Sequence, residues 1–111
     1  MAGLPDHDDV LFDLDKLTEY CLDPAHLYGR HKARVFRRAL GIGQADAAWL
    51  RDELLAALPD SNAQPMGKDT YGARWRIDIT IRRQRRIAVV RSAWMIRTGE
   101  RRLRFLTCWA L

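Results

Sequence analysis

Residues 23–41 read DPAHLYGRHKARVFRRALG and contain the clearest helix signal in the chain. Glycines at positions 29 and 41 bracket the second half of this stretch, and glycine supplies the left-handed residue at which helices often end. The spacing predicts a helix over about residues 30–40. Its apolar arc gathers Ala33, Val35, Phe36, Ala39 and Leu40. One side of this helix must therefore be buried against the rest of the fold.

Lys32 falls inside that apolar arc, whereas the arginines at 30, 34, 37 and 38 lie on the opposite side. An unpaired ammonium is very costly to bury. Lys32 must therefore either extend past the first helical turn into water or be held by a polar group across the core.

From residue 73 the period of the pattern changes to two, as in ARWRIDITIR. Alternating apolar and polar residues indicate a strand with one face on a core and one face in water. We predict strands over residues 73–82, 86–97 and about 101–110, joined by short turns. In the last strand, strict alternation places Leu103, Phe105, Thr107 and Trp109 on one face.

The remaining segments supply further helices and one edge strand. A short helix is predicted over about 14–22 and a longer one over 45–58, where leucines recur every four residues. Residues 62–67 contain at most a short edge strand, and residues 1–12 read as a flexible acidic tail. We therefore predict a single α+β domain over 13–111, with N-terminal helices packed on one face of a C-terminal antiparallel β-meander of three to four strands.

A chain of 111 residues is long enough for one domain and too short for two ordinary ones. The absence of an apolar run of about eighteen residues and of a basic-then-apolar leader predicts no membrane insertion and no signal peptide. Cys21 and Cys108 lack metal-ligand spacing, so we expect two reduced, core-packed thiols in a cytoplasmic protein.

Charge is unevenly distributed along the chain. Residues 1–60 carry 7 Lys and Arg against 11 Asp and Glu, a net of −4, and residues 61–111 carry 12 against 3, a net of +9. Eleven of those twelve cations are arginine, whose planar fork suits phosphate and carboxylate groups. The cationic half predicts an acidic partner, either nucleic acid or an acidic protein.

Several classes of chemistry lack their sequence motifs. The three histidines have no HExxH and no neighbouring cysteine pair, and neither GxSxG, GxxxxGK[ST] nor GxGxxG occurs. We therefore expect no metal and no cofactor.

Four segments together carry a family resemblance: HKARVFRRALGI, YGARWRIDITI, AVVRSAWMIR and RLRFLTCWAL. They resemble a small uncharacterised bacterial toxin-associated domain family, found alone beside a small partner gene or at the C-termini of secreted polymorphic toxins. The resemblance covers about residues 12–111. It implies a toxin-type domain similar to the barnase, EndoU, colicin and RelE group of ribonuclease folds, delivered into a target cell's cytoplasm when it is part of a larger toxin. No mechanism is carried over with it.

The chemistry left open is metal-independent RNA cleavage, in which the 2′-hydroxyl of the RNA attacks the adjacent phosphate. This reaction needs a proton acceptor, a proton donor and cations around the phosphorus. His31, at the opening turn of the helix, is the candidate acid or base, and Lys32 lies beside it. The candidate phosphate-binding or hydrogen-bonding residues are Arg76, Arg91, Tyr71 and Thr107.

Structural explanations exist for the same residues. His31 can simply be a solvated residue at the start of a helix. Arg76 and Arg91 can pair with Asp78 across neighbouring strands. Two alternative functions therefore stay open: a non-catalytic nucleic-acid-binding module, and an interaction protein such as an antitoxin or immunity partner. An RNA-cleaving toxin would itself require an acidic inhibitor protein.

Overall fold

The computed structural model of the chain describes residues 9–111. One turn of π-helix, Leu17–Cys21, precedes helix α1, Arg30–Leu40, and helix α2, Ala47–Ala57, has a 3-10 turn at each end. The strands β1, Gln64–Lys68; β2, Gly72–Arg83; β3, Arg86–Arg97; and β4, Arg104–Ala110, follow. The predicted α+β class and its order of helices before strands are confirmed.

Helix α1 has the bounds that its glycines predict. The helix begins after Gly29 and ends at Gly41, which adopts the left-handed conformation with φ 69°. Phe36 and Leu40 are fully buried on its apolar arc. The helix before it spans residues 15–21, close to the predicted 14–22, and its part Leu17–Cys21 is π-helical.

The four strands form one antiparallel sheet in the order β1, β2, β3, β4, which makes β1 and β4 its edge strands. The start of β4 is covered by a parallel bridge from Leu11. One face packs on the helices and contributes Ile77, Val90 and Trp94 to the core. Each fully buried side chain of this size stabilises the fold by about 1.5–3 kcal/mol. A buried polar link supports this face, since Ser92 donates to the Ile77 carbonyl and accepts from the Trp94 indole, both at 2.8 Å.

Strand β4 departs from strict alternation. Thr107 lies opposite Ala93 and Phe105 lies opposite Trp94, so Leu106 is an extra residue and forms a β-bulge. The prediction that Phe105 and Thr107 share one face was therefore wrong. Phe105 faces the helices, whereas Thr107 and Trp109 fall on the other side of the strand from the buried Cys108 and Ala110.

The predicted tail of residues 1–12 falls mostly outside the described residues. Its last residues belong to the fold. Leu11 exchanges backbone hydrogen bonds with the β4 region, donating to Leu103 and accepting from Phe105. The Phe12 ring stacks on the Phe105 ring at a centroid distance of 4.1 Å.

Candidate functional site

Lys32 binds a polar group on the sheet. Its Nζ donates a hydrogen bond of 3.0 Å to Thr107 Oγ1, so the second of the two alternatives for this ammonium applies. Two aromatic rings complete its surroundings, with the Tyr20 centroid 4.6 Å away and the Trp109 centroid 5.0 Å away. Such cation–π contacts are each worth about 0.5–1 kcal/mol at exposed sites. The ammonium is therefore fixed at the edge strand β4.

An open groove of about 370 Å³ lies where α1 meets β4. Its lining residues are His31, Lys32, Val35, Trp109 and Ala110. His31 is exposed at the rim, and its imidazole is free to approach a bound molecule. The groove thus combines a titratable imidazole, a held ammonium and an indole ring within one short segment of helix and strand.

Two thiols lie behind the Lys32–Thr107 contact. Cys21 Sγ is 3.5 Å from Thr107 Oγ1, and both Cys21 and Cys108 are fully buried. A hydrogen bond from Cys108 lowers the pKa of the Cys21 thiol to about 6, assisted by Thr107 and the nearby Lys32 charge and opposed by burial. The hydrogen bond and burial together raise the pKa of Cys108. The thiols are free, as predicted, but they are partners despite their separation in sequence.

The sheet face away from the helices carries most of the other predicted site residues. The strand register aligns two neighbouring rows across β2, β3 and β4. The first row is Arg76, Ala93 and Thr107, and the second is Asp78, Arg91 and Trp109. Because adjacent strands are about 4.8 Å apart, each row spans about 10 Å. Arg76 and Arg91 therefore lie within one or two strands of the residues that hold Lys32.

Arg91 is paired with a carboxylate. Its Nε and Nη2 each donate to Asp78 at 2.9 Å, a bidentate geometry. This pair lowers the pKa of Asp78 and raises that of Arg91. The cross-strand pairing that the sequence offered as a structural explanation thus forms for Arg91, and its charge is largely compensated.

The lining of the groove does not include the predicted residues Tyr71, Arg76 and Arg91. Tyr71 lies in the turn before β2, five residues from Arg76, and it is 72% exposed. Sequence reasoning in turn missed Tyr20 and the two cysteines as neighbours of Lys32. No spacing signal links Tyr20 to α1, since the contact depends on how the π-helical turn packs.

Five of the twelve cations of the second half are paired with carboxylates. Six ion pairs occur among residues 9–111, and five of them use arginines of the cationic half. Those five arginines are Arg74, Arg83, Arg91, Arg102 and Arg104. None of the six pairs involves an arginine of α1. Helix α1 therefore carries four arginines that form no ion pair within residues 9–111, although they belong to the half of the chain with a net negative charge.

Within residues 9–111, no cluster of three or more His, Cys, Asp or Glu side chains has the geometry to hold a metal ion. No helix of this part of the chain has the length and apolarity needed to cross a bilayer.

Comparison with known proteins gives a family and nothing more specific. No curated protein and no solved structure matches the chain. One family profile matches residues 3–111, which is nearly the whole sequence, and its description is "Domain of unknown function (DUF6883)". The chain therefore belongs to the DUF6883 family.

Proposed function

We propose that the groove between α1 and β4 binds RNA and cleaves it without a metal ion. The observation that carries this proposal is the fixed Lys32 ammonium, held by Thr107 beside an exposed histidine in an open groove. Trp109 offers a flat face on which a base can stack, a contact worth about 1–3 kcal/mol. Together these residues supply charge, proton transfer and a base platform.

The reaction needs only groups that the groove contains. The 2′-hydroxyl of the RNA attacks the adjacent phosphorus while His31 accepts its proton, and the bond to the 5′-oxygen breaks as that oxygen takes a proton from imidazolium or water. Charge that builds up on the phosphoryl oxygens is stabilised by Lys32. The products are a 2′,3′-cyclic phosphate and a free 5′-hydroxyl, and no oxidant or cofactor is consumed.

Arg76 contributes to binding more than Arg91 does. Arg76 lines a small polar hollow of about 200 Å³ with Asn62, Gln64 and Asp78, and it forms none of the described ion pairs. Arg91 is already bound by Asp78, so its contribution to a phosphate contact is reduced. Arg76→Ala should therefore weaken RNA binding more than Arg91→Ala.

The unpaired Arg76 favours a second candidate function, a nucleic-acid-binding module without catalysis. Phosphate binding needs a cation such as Arg76, which forms none of the described ion pairs, and it does not need the proton transfer assigned to His31. Both candidates predict RNA binding that weakens steeply with salt. Only the ribonuclease predicts that RNA bound in the groove is broken.

A toxin role follows from the proposed cleavage and would be exercised in a bacterial cytoplasm. An acidic inhibitor protein would then restrain the enzyme by covering its cationic surfaces. Expression of the chain alone should stop bacterial growth, and His31→Ala should relieve the arrest.

The direct test is to incubate purified protein with end-labelled RNA in the presence of a chelator. We expect fragments ending in 2′,3′-cyclic phosphate, and no cleavage of the matching 2′-deoxy oligonucleotide, which lacks the attacking hydroxyl. RNA that is bound but stays intact would contradict the ribonuclease and support the binding module. Equal cleavage of the deoxy strand would contradict the 2′-hydroxyl mechanism.

A further inference from the structure

A second cavity lies against a neighbouring side of α1. Its volume is about 240 Å³, and three arginines of α1 line it together with Leu22, Ile42 and Gly43. These arginines are Arg30, Arg34 and Arg37, spaced four and three residues apart. Side chains at such spacings are neighbours on one helix face, with Cβ atoms about 5–6 Å apart. The cavity is therefore edged by a row of guanidinium groups.

Among residues 9–111, no carboxylate forms an ion pair with this row. None of the six ion pairs within residues 9–111 uses an arginine of α1. Two acidic residues lie close to the cavity in sequence, and each already has a partner. Asp23 Oδ1 accepts from the backbone N–H of Ala25 at 2.9 Å. Asp46 accepts from Arg83 at Oδ1 and from the backbone N–H of Gly43 at Oδ2, both at 2.9 Å. The guanidinium groups are thus available to an anion from solution.

The local sequence leaves room for one of these groups. A Cβ added to Gly43 would lie 2.8 Å from Arg37 Nη2, so the guanidinium of Arg37 rests over the glycine. Gly43 has extended backbone, with φ −138° and ψ −165°, a conformation open to any residue. Glycine at this position therefore leaves the space in which the Arg37 guanidinium lies at the cavity.

The two cavities share α1 as their common wall. Successive residues of a helix are about 100° apart around its axis. The side of α1 that faces the groove carries His31, Val35 and Lys32. A neighbouring side carries Arg30, Arg34 and Arg37. His31 and Arg34 are three residues apart and adjoin each other on the exposed ridge between those sides. A single polymer with regularly spaced anions can thus occupy both cavities by crossing the ridge.

We propose that Arg30, Arg34 and Arg37 form a phosphate-binding site for RNA that continues from the α1–β4 groove across helix α1. This inference rests on the proposed function and extends it by defining a minimum substrate. An RNA long enough to cross the ridge gains the arginine contacts, whereas a dinucleotide fills only the groove. The site acts on binding and leaves the chemical step unchanged.

The experiment measures binding of an uncleavable 2′-O-methyl decanucleotide across a salt titration. In single strands each phosphate contact contributes about −0.7 to the slope of log affinity against log salt. Replacing Arg30, Arg34 and Arg37 together by Gln should make the slope shallower by about 2 and lower the affinity about 30-fold at low salt. A control that replaces Lys68, Arg97 and Arg101, exposed at the far end of the sheet, removes the same charge and should change affinity less than about threefold.

A second variant keeps every charge. Gly43→Ala places a methyl group against the Arg37 guanidinium, a flexible group that can move aside, so the fold should persist while Arg37 leaves the cavity. We expect an affinity loss of about threefold, since one of three contacts is displaced.

The outcomes separate this site from the proposed cleavage. Wild-type protein that binds the decanucleotide and fails to cleave RNA contradicts the ribonuclease and leaves the arginine site standing. A triple variant that binds as tightly as wild type overturns the arginine site. Poly-glutamate is the test for an acidic protein partner. If it binds as tightly as the oligonucleotide, and if the triple variant loses this binding, the assignment of RNA as the ligand is overturned in favour of an acidic protein. Absence of binding even at low salt overturns both proposals.

Discussion

Lys32→Met should lower the free energy of unfolding by about 1–2 kcal/mol. The substitution removes the 3.0 Å hydrogen bond to Thr107, and a hydrogen bond with a charged partner is worth about 1.5–3 kcal/mol. It also removes two cation–π contacts of about 0.5–1 kcal/mol each. The methionine side chain keeps the packing of the lysine stem. It also removes the cost of partly desolvating an ammonium, and this gain offsets part of the lost stability.

A double-mutant cycle isolates the contact itself. Urea unfolding of Lys32→Met, Thr107→Val and the double variant should give a coupling energy of about 1 kcal/mol, because each single substitution breaks the same hydrogen bond. Lys68→Met on the exposed strand β1 is the matched control and should change stability by less than about 0.5 kcal/mol. A coupling energy indistinguishable from zero would refute the view that Thr107 fixes the ammonium.

Three further outcomes are expected. Gly29→Ala should lower the free energy of unfolding in urea by more than about 2 kcal/mol, because the added Cβ would collide with the Tyr20 carbonyl. Gly43→Ala should leave that free energy nearly unchanged, and an equal loss of stability in the two variants would contradict this reasoning. Asp78→Asn should tighten RNA binding by releasing Arg91, and weaker binding would mean that the carboxylate belongs to the site. Between pH 6 and 9, the free energy of unfolding of the wild-type protein should rise with pH, and that of Cys21→Ala should rise less steeply. Parallel curves of unfolding free energy against pH would contradict the lowered pKa of Cys21.

The sign of the pH effect follows from the native thiolate. The folded pKa of Cys21 is about 6 and its ordinary value is 9.0, so between these values the unfolded chain binds a proton that the native state has released. The free energy of unfolding then increases by up to about 1.4 kcal/mol per pH unit, and this stabilisation is lost as the pH falls through 6. Above pH 9 the raised pKa of Cys108 works in the opposite direction.

The helices and strands could be predicted from the sequence because residues close together in the chain determine where they form and end. Gly29 and Gly41 fixed both ends of α1, and the period of two located β2 and β3. Alternation failed in β4, since the bulge at Leu106 turns Thr107 to the side opposite Phe105. A bulge depends on the register with β3, and no pattern within one strand encodes it.

The candidate site was predicted only in part, for a comparable reason. Lys32 was identifiable because a cation on an apolar arc requires a partner, and Thr107 proved to be that partner. The contacts to Tyr20 and Cys21 come from the packing of a π-helical turn, which no sequence period describes. The net charge of each half of the chain likewise does not indicate which cations are paired, such as Arg91 with Asp78.

Single-turnover cleavage of RNA in the presence of a chelator tests the central claim most directly. Loss of general acid–base catalysis typically costs 10²–10⁴-fold in rate. We predict that His31→Ala and Lys32→Met, each shown to be folded by circular dichroism, cleave at least about 100-fold more slowly than wild type and still bind the RNA. Folded variants that cleave within about threefold of the wild-type rate would contradict the assignment of the α1–β4 groove as the site of cleavage.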